Sequence, residues 1–84
     1  MNVSFTENAW EDYTYWQKMD RKTAKRINEL IKDIKRSPFD GLGKPEGLKY
    51  DLAGKWSRRI TDEHRLVYQV EDQNIIIYTC RYHY

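Results

Sequence analysis

Residues 55–84 read KWSRRITDEHRLVYQVEDQNIIIYTCRYHY, and the alternation of polar and apolar residues in this stretch decides the fold. Lys55–Ile60, His64–Glu71 and Ile75–His83 follow a period of two, as strands that bury one face do. The breaks between them, Thr61–Glu63 and Asp72–Asn74, are too short for a crossover, so the strands are antiparallel neighbours. Leu48–Leu52 reads as a further strand, closed by Ala53-Gly54. Ahead of it, Phe39–Gly47 carries three glycines and Pro45 and reads as a loop.

Towards the N-terminus the period changes. Asn2–Phe5 alternates like a short opening strand. Thr6 is placed to cap a helix running to about Met19, with Glu7 favourable at its positive end. Ala9, Trp10, Tyr13 and Trp16 recur on one helical face as an aromatic core stripe. Asp20 is placed to cap a second helix, in which Ala24, Ile27, Leu30, Ile31 and Ile34 form the apolar face. Ser37-Pro38 stops it. The expected fold is α+β: one domain over residues 1–84, an antiparallel β-sheet with a two-helix hairpin packed on one face, in the order β-α-α-β-β-β-β.

Symmetric turns would set Arg59 opposite Arg65 and Arg65 opposite Arg81. Arg59, Arg65, Arg81 and His83 then share one face. Leu66, Tyr68, Val70, Ile76, Tyr78 and Cys80 take the other, against the helices. Trp56 and Arg58 fall on that second face too, where Arg58 is out of place unless it sits at the sheet's end. Arginines facing one another across strands repel, and a bound polyanion is the simplest compensation, since guanidinium groups grip phosphate in bidentate fashion. Splaying into solvent or pairing with Asp62, Glu63 and Glu71 would also relieve them.

Composition bounds the function class loosely. The 84 residues hold 15 basic and 13 acidic side chains, a net charge of +2, so any nucleic-acid contact depends on placement rather than totals. With Cys80 as the one cysteine and two histidines, neither an internal disulfide nor zinc-ligand spacing arises. No apolar run reaches membrane-spanning length and residues 1–20 are too acidic for a signal peptide, so a cytoplasmic protein is expected.

Several blocks together resemble the YoeB toxins of the RelE/ParE superfamily. They are Ala9-Trp10-Glu11-Asp12-Tyr13 with Tyr15-Trp16, Ile27–Asp33, Gly43-Lys44-Pro45-Glu46 with Leu48-Lys49, Trp56-Ser57-Arg58-Arg59-Ile60, Glu63–Tyr68, and the closing Cys80-Arg81-Tyr82-His83-Tyr84. The resemblance runs along the whole chain. It implies a RelE-like microbial RNase fold and a toxin that enters the A site of the 70S ribosome and cuts mRNA there without metal or cofactor. The ribose 2′-hydroxyl attacks the adjacent phosphate. It further implies a YefM-like antitoxin that blocks the toxin, with operator DNA contacted only through their complex; exposed aromatics are compatible with a homodimer. Position by position, Glu46 matches the general base, His83 the general acid, Arg65 the transition-state clamp, Arg59 and Lys49 further phosphate contacts, and Tyr84 the residue closing the site. Arg81 is added as a phosphate ligand from the shared sheet face.

The chemistry suits these residue types. In-line RNA cleavage needs a base for the 2′-proton, an acid for the departing 5′-oxygen and fixed positive charge near the phosphorane. Carboxylate and imidazole, with ordinary pKa values near 4.3 and 6.5, supply the first two. Taken alone, Glu46 would be a solvated loop charge and His83 an idle terminal side chain. His64 reads as a packing or hydrogen-bonding histidine. The lysines and arginines of the second helix read as a solvated face that also offers salt-sensitive contacts to ribosomal RNA. The competing function on this scaffold is a non-enzymatic ParE-like toxin that poisons DNA gyrase, which the retained Glu46, Arg65 and His83 disfavour. A DNA-binding partner without activity lacks any helix-turn-helix pattern.

Overall fold

The computed structural model describes residues 1–83; Tyr84, expected to close the site, lies outside the described residues. The elements are β1 (Asn2–Phe5), α1 (Glu7–Met19), α2 (Arg21–Arg36), β2 (Glu46–Gly47), a 3-10 turn (Tyr50–Leu52), β3 (Trp56–Arg59), β4 (Arg65–Glu71) and β5 (Asn74–Thr79). They form an α+β fold with five strands in the order β1-β5-β4-β3-β2. Among the described residues, no helix is long and apolar enough to cross a membrane.

Helix boundaries follow from caps. The Thr6 hydroxyl accepts from the Ala9 N–H at 3.1 Å, which satisfies one of the amides left over at a helix start. Asp20 alone joins the two helices. Its N–H donates to Trp16 O, closing α1, while its carboxylate accepts from the Lys22 and Thr23 amides and the Thr23 hydroxyl, opening α2. Those bonds, Thr23 foremost, hold the Asp20 carboxyl below its ordinary pKa. With a single connecting residue the helices must fold back as a hairpin.

The core lies between this hairpin and one sheet face. Ile27, Leu30 and Ile34 of α2 meet Leu66, Tyr68, Ile75 and Ile77, all without exposure, with Ala9, Trp16 and Cys80 completing the layer. The aromatic stripe of α1 divides: Trp16 is buried, but Trp10 is 53% exposed. Trp10 instead stacks on Tyr13 and meets Phe5 edge-on near the β1 edge.

Three expectations need correction. The sheet is mixed rather than wholly antiparallel, because β1 pairs parallel with β5, from Asn2 opposite Asn74 to Phe5 opposite Ile77. Short turns constrain only β3, β4 and β5; β1 reaches β5 through the helices and is free of that restriction. Leu48–Leu52 is not a strand. Tyr50 takes a left-handed φ of 57°, the amides of Leu52 and Ala53 close back on Lys49 O and Tyr50 O, and the pairing with β3 falls earlier, at Glu46 and Gly47.

The third concerns β5. Glu71 pairs with Asn74 rather than Ile75, so the turn has two residues instead of three. Residues from Asn74 to Ile77 change face, and Ile75 and Ile77 point to the helices in place of Ile76 and Tyr78. A bulge between Val67 and Tyr68, where Tyr78 is the extra residue, resets the alternation. Cys80 therefore reaches the core as expected, and β5 ends at Thr79 instead of continuing to His83. By contrast, Arg59 opposite Arg65 stands as the alternation predicts.

Burial, with a smaller effect from nearby Asp12, pushes the Cys80 thiol up to about 12, and only the thiolate is nucleophilic. Cys80 should resist iodoacetamide at pH 8 in the folded protein and react fully once denatured. Rapid labelling under native conditions would contradict its placement in the core.

Candidate active site

One fully buried cation organises the approach to the site. Arg58 on β3 has no exposure and uses all five of its N–H donors. Nε donates to Tyr68 Oη at 3.1 Å. Nη1 reaches Asp33 Oδ2 at 2.6 Å and Leu42 O at 3.1 Å. Nη2 reaches Ser37 O at 2.7 Å and Asp40 O at 2.9 Å. A buried guanidinium is tolerable only when paired and saturated in this way. Tyr68, whose phenol burial pushes to higher pKa, remains a donor and binds Pro38 O at 2.7 Å.

Asp33 is the matching anion. It also accepts from the Leu42 N–H at 2.8 Å and from Arg36 Nη2. Those three bonds, Leu42 first, hold its carboxyl well below the ordinary carboxylate range. The result is a loop, residues 37–43, whose carbonyls are drawn onto an interior charge. Two glycines permit the close approach. A Cβ at Gly41, with φ 112°, would lie 2.2 Å from Asp33 Oδ2, and one at Gly43, with φ 78°, would lie 3.0 Å from Arg59 O. Gly43 O then accepts from the Arg59 N–H at 2.7 Å, fixing the loop to β3 immediately before Lys44 and Glu46.

The loop delivers Lys44 and Glu46 to a cleft of about 280 Å³ lined by Lys44, Glu46, Ser57, Arg59, Arg65 and His83. Glu46 stands on β2 directly opposite Ser57, and Arg59 stands on β3 opposite Arg65 on β4. Arg65 Nη1 is held by the carbonyls of Thr61, Asp62 and His64 at 2.8 to 3.1 Å, so the guanidinium plane is set by its own turn. His83 arrives from the opposite direction. The Arg65 N–H donates to Tyr82 O at 3.0 Å, tying segment 80–83 beside β4. Three cations, one carboxylate and one imidazole thus surround one space, a set in which fixed positive charge favours an anion and the carboxylate and imidazole are groups able to move protons.

Of the expected residues, Glu46, Arg59, Arg65 and His83 come together. Lys49 lines an adjoining cleft of about 480 Å³ that shares Glu46 with the first. Arg81 does not join them. Its guanidinium lies over the Tyr15 ring at 3.6 Å and the Tyr82 ring at 4.7 Å, on the helix side, because β5 ends before it and the expected continuous register is lost. Lys44 and Ser57 were not anticipated as lining residues. His64 is the hydrogen-bonding and packing residue expected: Nδ1 accepts from the Tyr82 N–H at 2.7 Å and the ring stands edge-on to Trp16. Among the described residues, no three His, Cys, Asp or Glu side chains converge as a metal site would require.

Two measurements probe the support beneath the cleft. Arg58→Leu strands a buried carboxylate and should lower unfolding stability by roughly 3–5 kcal/mol in chemical denaturation. A carboxyl depressed on folding, as Asp33 is, lends stability that is complete above its unfolded pKa and is lost as pH falls through its folded value. The wild type should therefore weaken progressively below about pH 5, while Asp33→Asn should start less stable at pH 7 and show a flatter acid limb.

Known proteins fit this geometry. A profile of the YoeB-like toxins of bacterial type II toxin–antitoxin systems matches residues 5–84. Toxin YoeB of Escherichia coli K12 is 58% identical over 84 residues, all of both chains. A YoeB/ParE toxin from Agrobacterium tumefaciens superimposes with a TM-score of 0.99 at 51% identity, covering both chains completely. The toxin in a YoeB–YefM complex from Staphylococcus aureus gives 0.93 at 52% identity, covering 100% of this chain and 98% of that one, and the same organism's YoeB is solved as a dimer at 53% identity. Matched from end to end in sequence and in backbone, this chain belongs to the YoeB-like toxins of bacterial type II toxin–antitoxin systems.

Proposed function

We propose that the protein is a ribosome-dependent endoribonuclease that cuts mRNA in the A site and so arrests translation. The observation that supports this most is the shared cleft, with Glu46, Arg59, Arg65 and His83 around one space. In the proposed reaction the Glu46 carboxylate takes the proton of a ribose 2′-hydroxyl. The 2′-oxygen attacks the adjacent phosphorus, the bond to the 5′-oxygen breaks, and His83 donates a proton to that leaving oxygen. The products are a 2′,3′-cyclic phosphate and a 5′-hydroxyl, with no metal or cofactor required. Arg65 stabilises the phosphorane, Arg59 and Lys49 bind flanking phosphates, and Tyr84 is assigned the role of closing the site. Arg81 is left out of the set because aromatic rings engage its guanidinium.

The partners follow from the same reading. A YefM-like antitoxin, as in the Staphylococcus aureus complex, would block this chain by covering the cleft or displacing segment 82–84. Operator DNA would be met only through that complex, in the cytoplasm where ribosome and antitoxin reside. A homodimer, the state of the Staphylococcus aureus relative, would have the exposed Trp10 as apolar contact area.

Primer extension in a translating extract tests the activity. Glu46→Gln and His83→Ala should each reduce cleavage by about 10²–10⁴-fold, with unfolding curves unchanged. Full cleavage by either variant removes that residue from the mechanism. Growth arrest with intact mRNA and inhibited DNA gyrase would favour the ParE-like alternative.

A further inference from the structure

The chain turns a corner at Tyr82. Its φ of 62° is left-handed, a conformation L side chains rarely adopt, and the corner redirects segment 80–83 so that His83 lines the cleft. Several contacts hold it. Tyr82 O accepts from the Arg65 N–H at 3.0 Å. The Tyr82 N–H donates to His64 Nδ1 at 2.7 Å. The Tyr82 ring lies 5.4 Å from the His64 ring, and its hydroxyl accepts from Arg81 Nη2 at 2.9 Å. Among these, His64 is the one side chain bonded to the backbone of the corner itself.

We propose that His64 is a positioning residue: its Nδ1 lone pair captures the Tyr82 amide and thereby aims His83 into the cleft. The inference rests on the cleavage reading above for its consequence in catalysis, while the hold on Tyr82 is measurable without any cleavage.

The imidazole is preset for this task. Trp16 braces it edge-on at 4.8 Å between ring centroids, and the same indole donates from Nε1 to Cys80 O at 2.8 Å. One core residue therefore fixes both the acceptor and the start of the segment that it receives. The His64 backbone is locked in turn: its N–H donates to Thr61 Oγ1 at 3.1 Å and its carbonyl accepts from the Ile60 N–H. An Nδ1 that accepts carries no proton, so the ring proton sits on Nε2, which faces Glu63 Oε1 at 3.4 Å. A backbone N–H at a non-repeating corner needs an acceptor. Water would satisfy it equally well, yet only a fixed acceptor gives it direction, and direction decides where the next side chain points.

Three substitutions separate the acceptor from the bulk. His64→Asn retains an oxygen near the Nδ1 position, His64→Gln moves its amide about one methylene further out, and His64→Leu keeps volume without an acceptor. Hydrogen exchange should find the Tyr82 amide protected in the wild type and His64→Asn, and roughly tenfold or more faster in His64→Gln and His64→Leu, as loss of one ordinary hydrogen bond implies. On pre-bound ribosomes, single-turnover cleavage should fall by about 10- to 100-fold in the same two variants, the scale on which small misplacements act. Ribosome affinity should hold, and His64→Asn should restore the rate. Unfolding midpoints identify any variant that has simply lost its fold, and His64→Gln remains informative if His64→Leu does so. Full Tyr82 protection and full cleavage in His64→Gln would overturn the proposal, as would a folded His64→Asn no better than His64→Leu. A wild type that protects Tyr82 but cuts nothing would overturn the cleavage reading and leave the hold on Tyr82 to be decided by exchange alone.

Discussion

The ion pair between Arg58 and Asp33 lies between α2 and β3, out of water, with the guanidinium answered on every N–H. Desolvating two charges is unfavourable, and a pair so placed would be matched or exceeded in stability by well-packed apolar side chains. What the charges provide is direction. The carbonyls of Ser37, Asp40 and Leu42 have no regular structure to satisfy them, and the guanidinium collects all three. A loop containing two left-handed glycines, at Gly41 and Gly43, is thereby given one conformation, and Lys44 and Glu46 leave it in one direction. Without that interior cation the Glu46 carboxylate would reach the cleft on a flexible tether.

The other side of the cleft is supported by different means. Beyond Thr79 and the buried Cys80, residues 81–83 have no strand ladder, and their hold is distributed over Arg65 N–H, His64 Nδ1 and the Arg81 guanidinium lying over the Tyr15 and Tyr82 rings. These are exposed or half-exposed contacts of ordinary strength, unlike the buried pair under the loop. Such a division leaves one wall of the cleft fixed and the other the readier to open, since segments with few buried contacts open most easily. The sheet between them carries Arg59 and Arg65 side by side, and their mutual repulsion is relieved whenever an anion occupies the cleft.

Much of this was legible in the residues. The caps at Thr6 and Asp20, the helical face of Ile27, Leu30 and Ile34, and the Arg59–Arg65 pairing follow from period and short-range chemistry. Turn length at Asp72 was not, because a residue that takes a left-handed φ there lets two residues do the work of three, and alternation alone does not say so. That single residue sent Ile75 and Ile77 inward, and Tyr78 had to bulge for Cys80 to return to the core. Arg81 was misplaced for another reason: β5 ends at Thr79, before it. Arg65 was placed beside Arg59 by strand register, but Glu46 and the roles of all three were reached through resemblance, since a loop glutamate and a histidine near the end of the sequence carry no local signature of convergence. The Arg58 network had left a trace: a cation in the inward phase of a strand requires a buried anion, and Asp33 sits one position from the apolar stripe of α2. Neither residue points to the other locally, because 25 positions separate them in the chain.

Arg58 and Arg59 are chemically identical neighbours, one interior and one facing the cleft, told apart solely by the pleat of β3. A slip of that strand by one position would bring Ser57 to Asp33 and Arg58 to the cleft, or, in the other direction, Arg59 to Asp33 and Ile60 to the cleft. Either slip spoils one of the two roles, the interior counterion or the cleft cation, and only the native register supplies both. In this toxin, the stability of the fold and the make-up of the cleft are therefore tied to the same hydrogen-bond ladder.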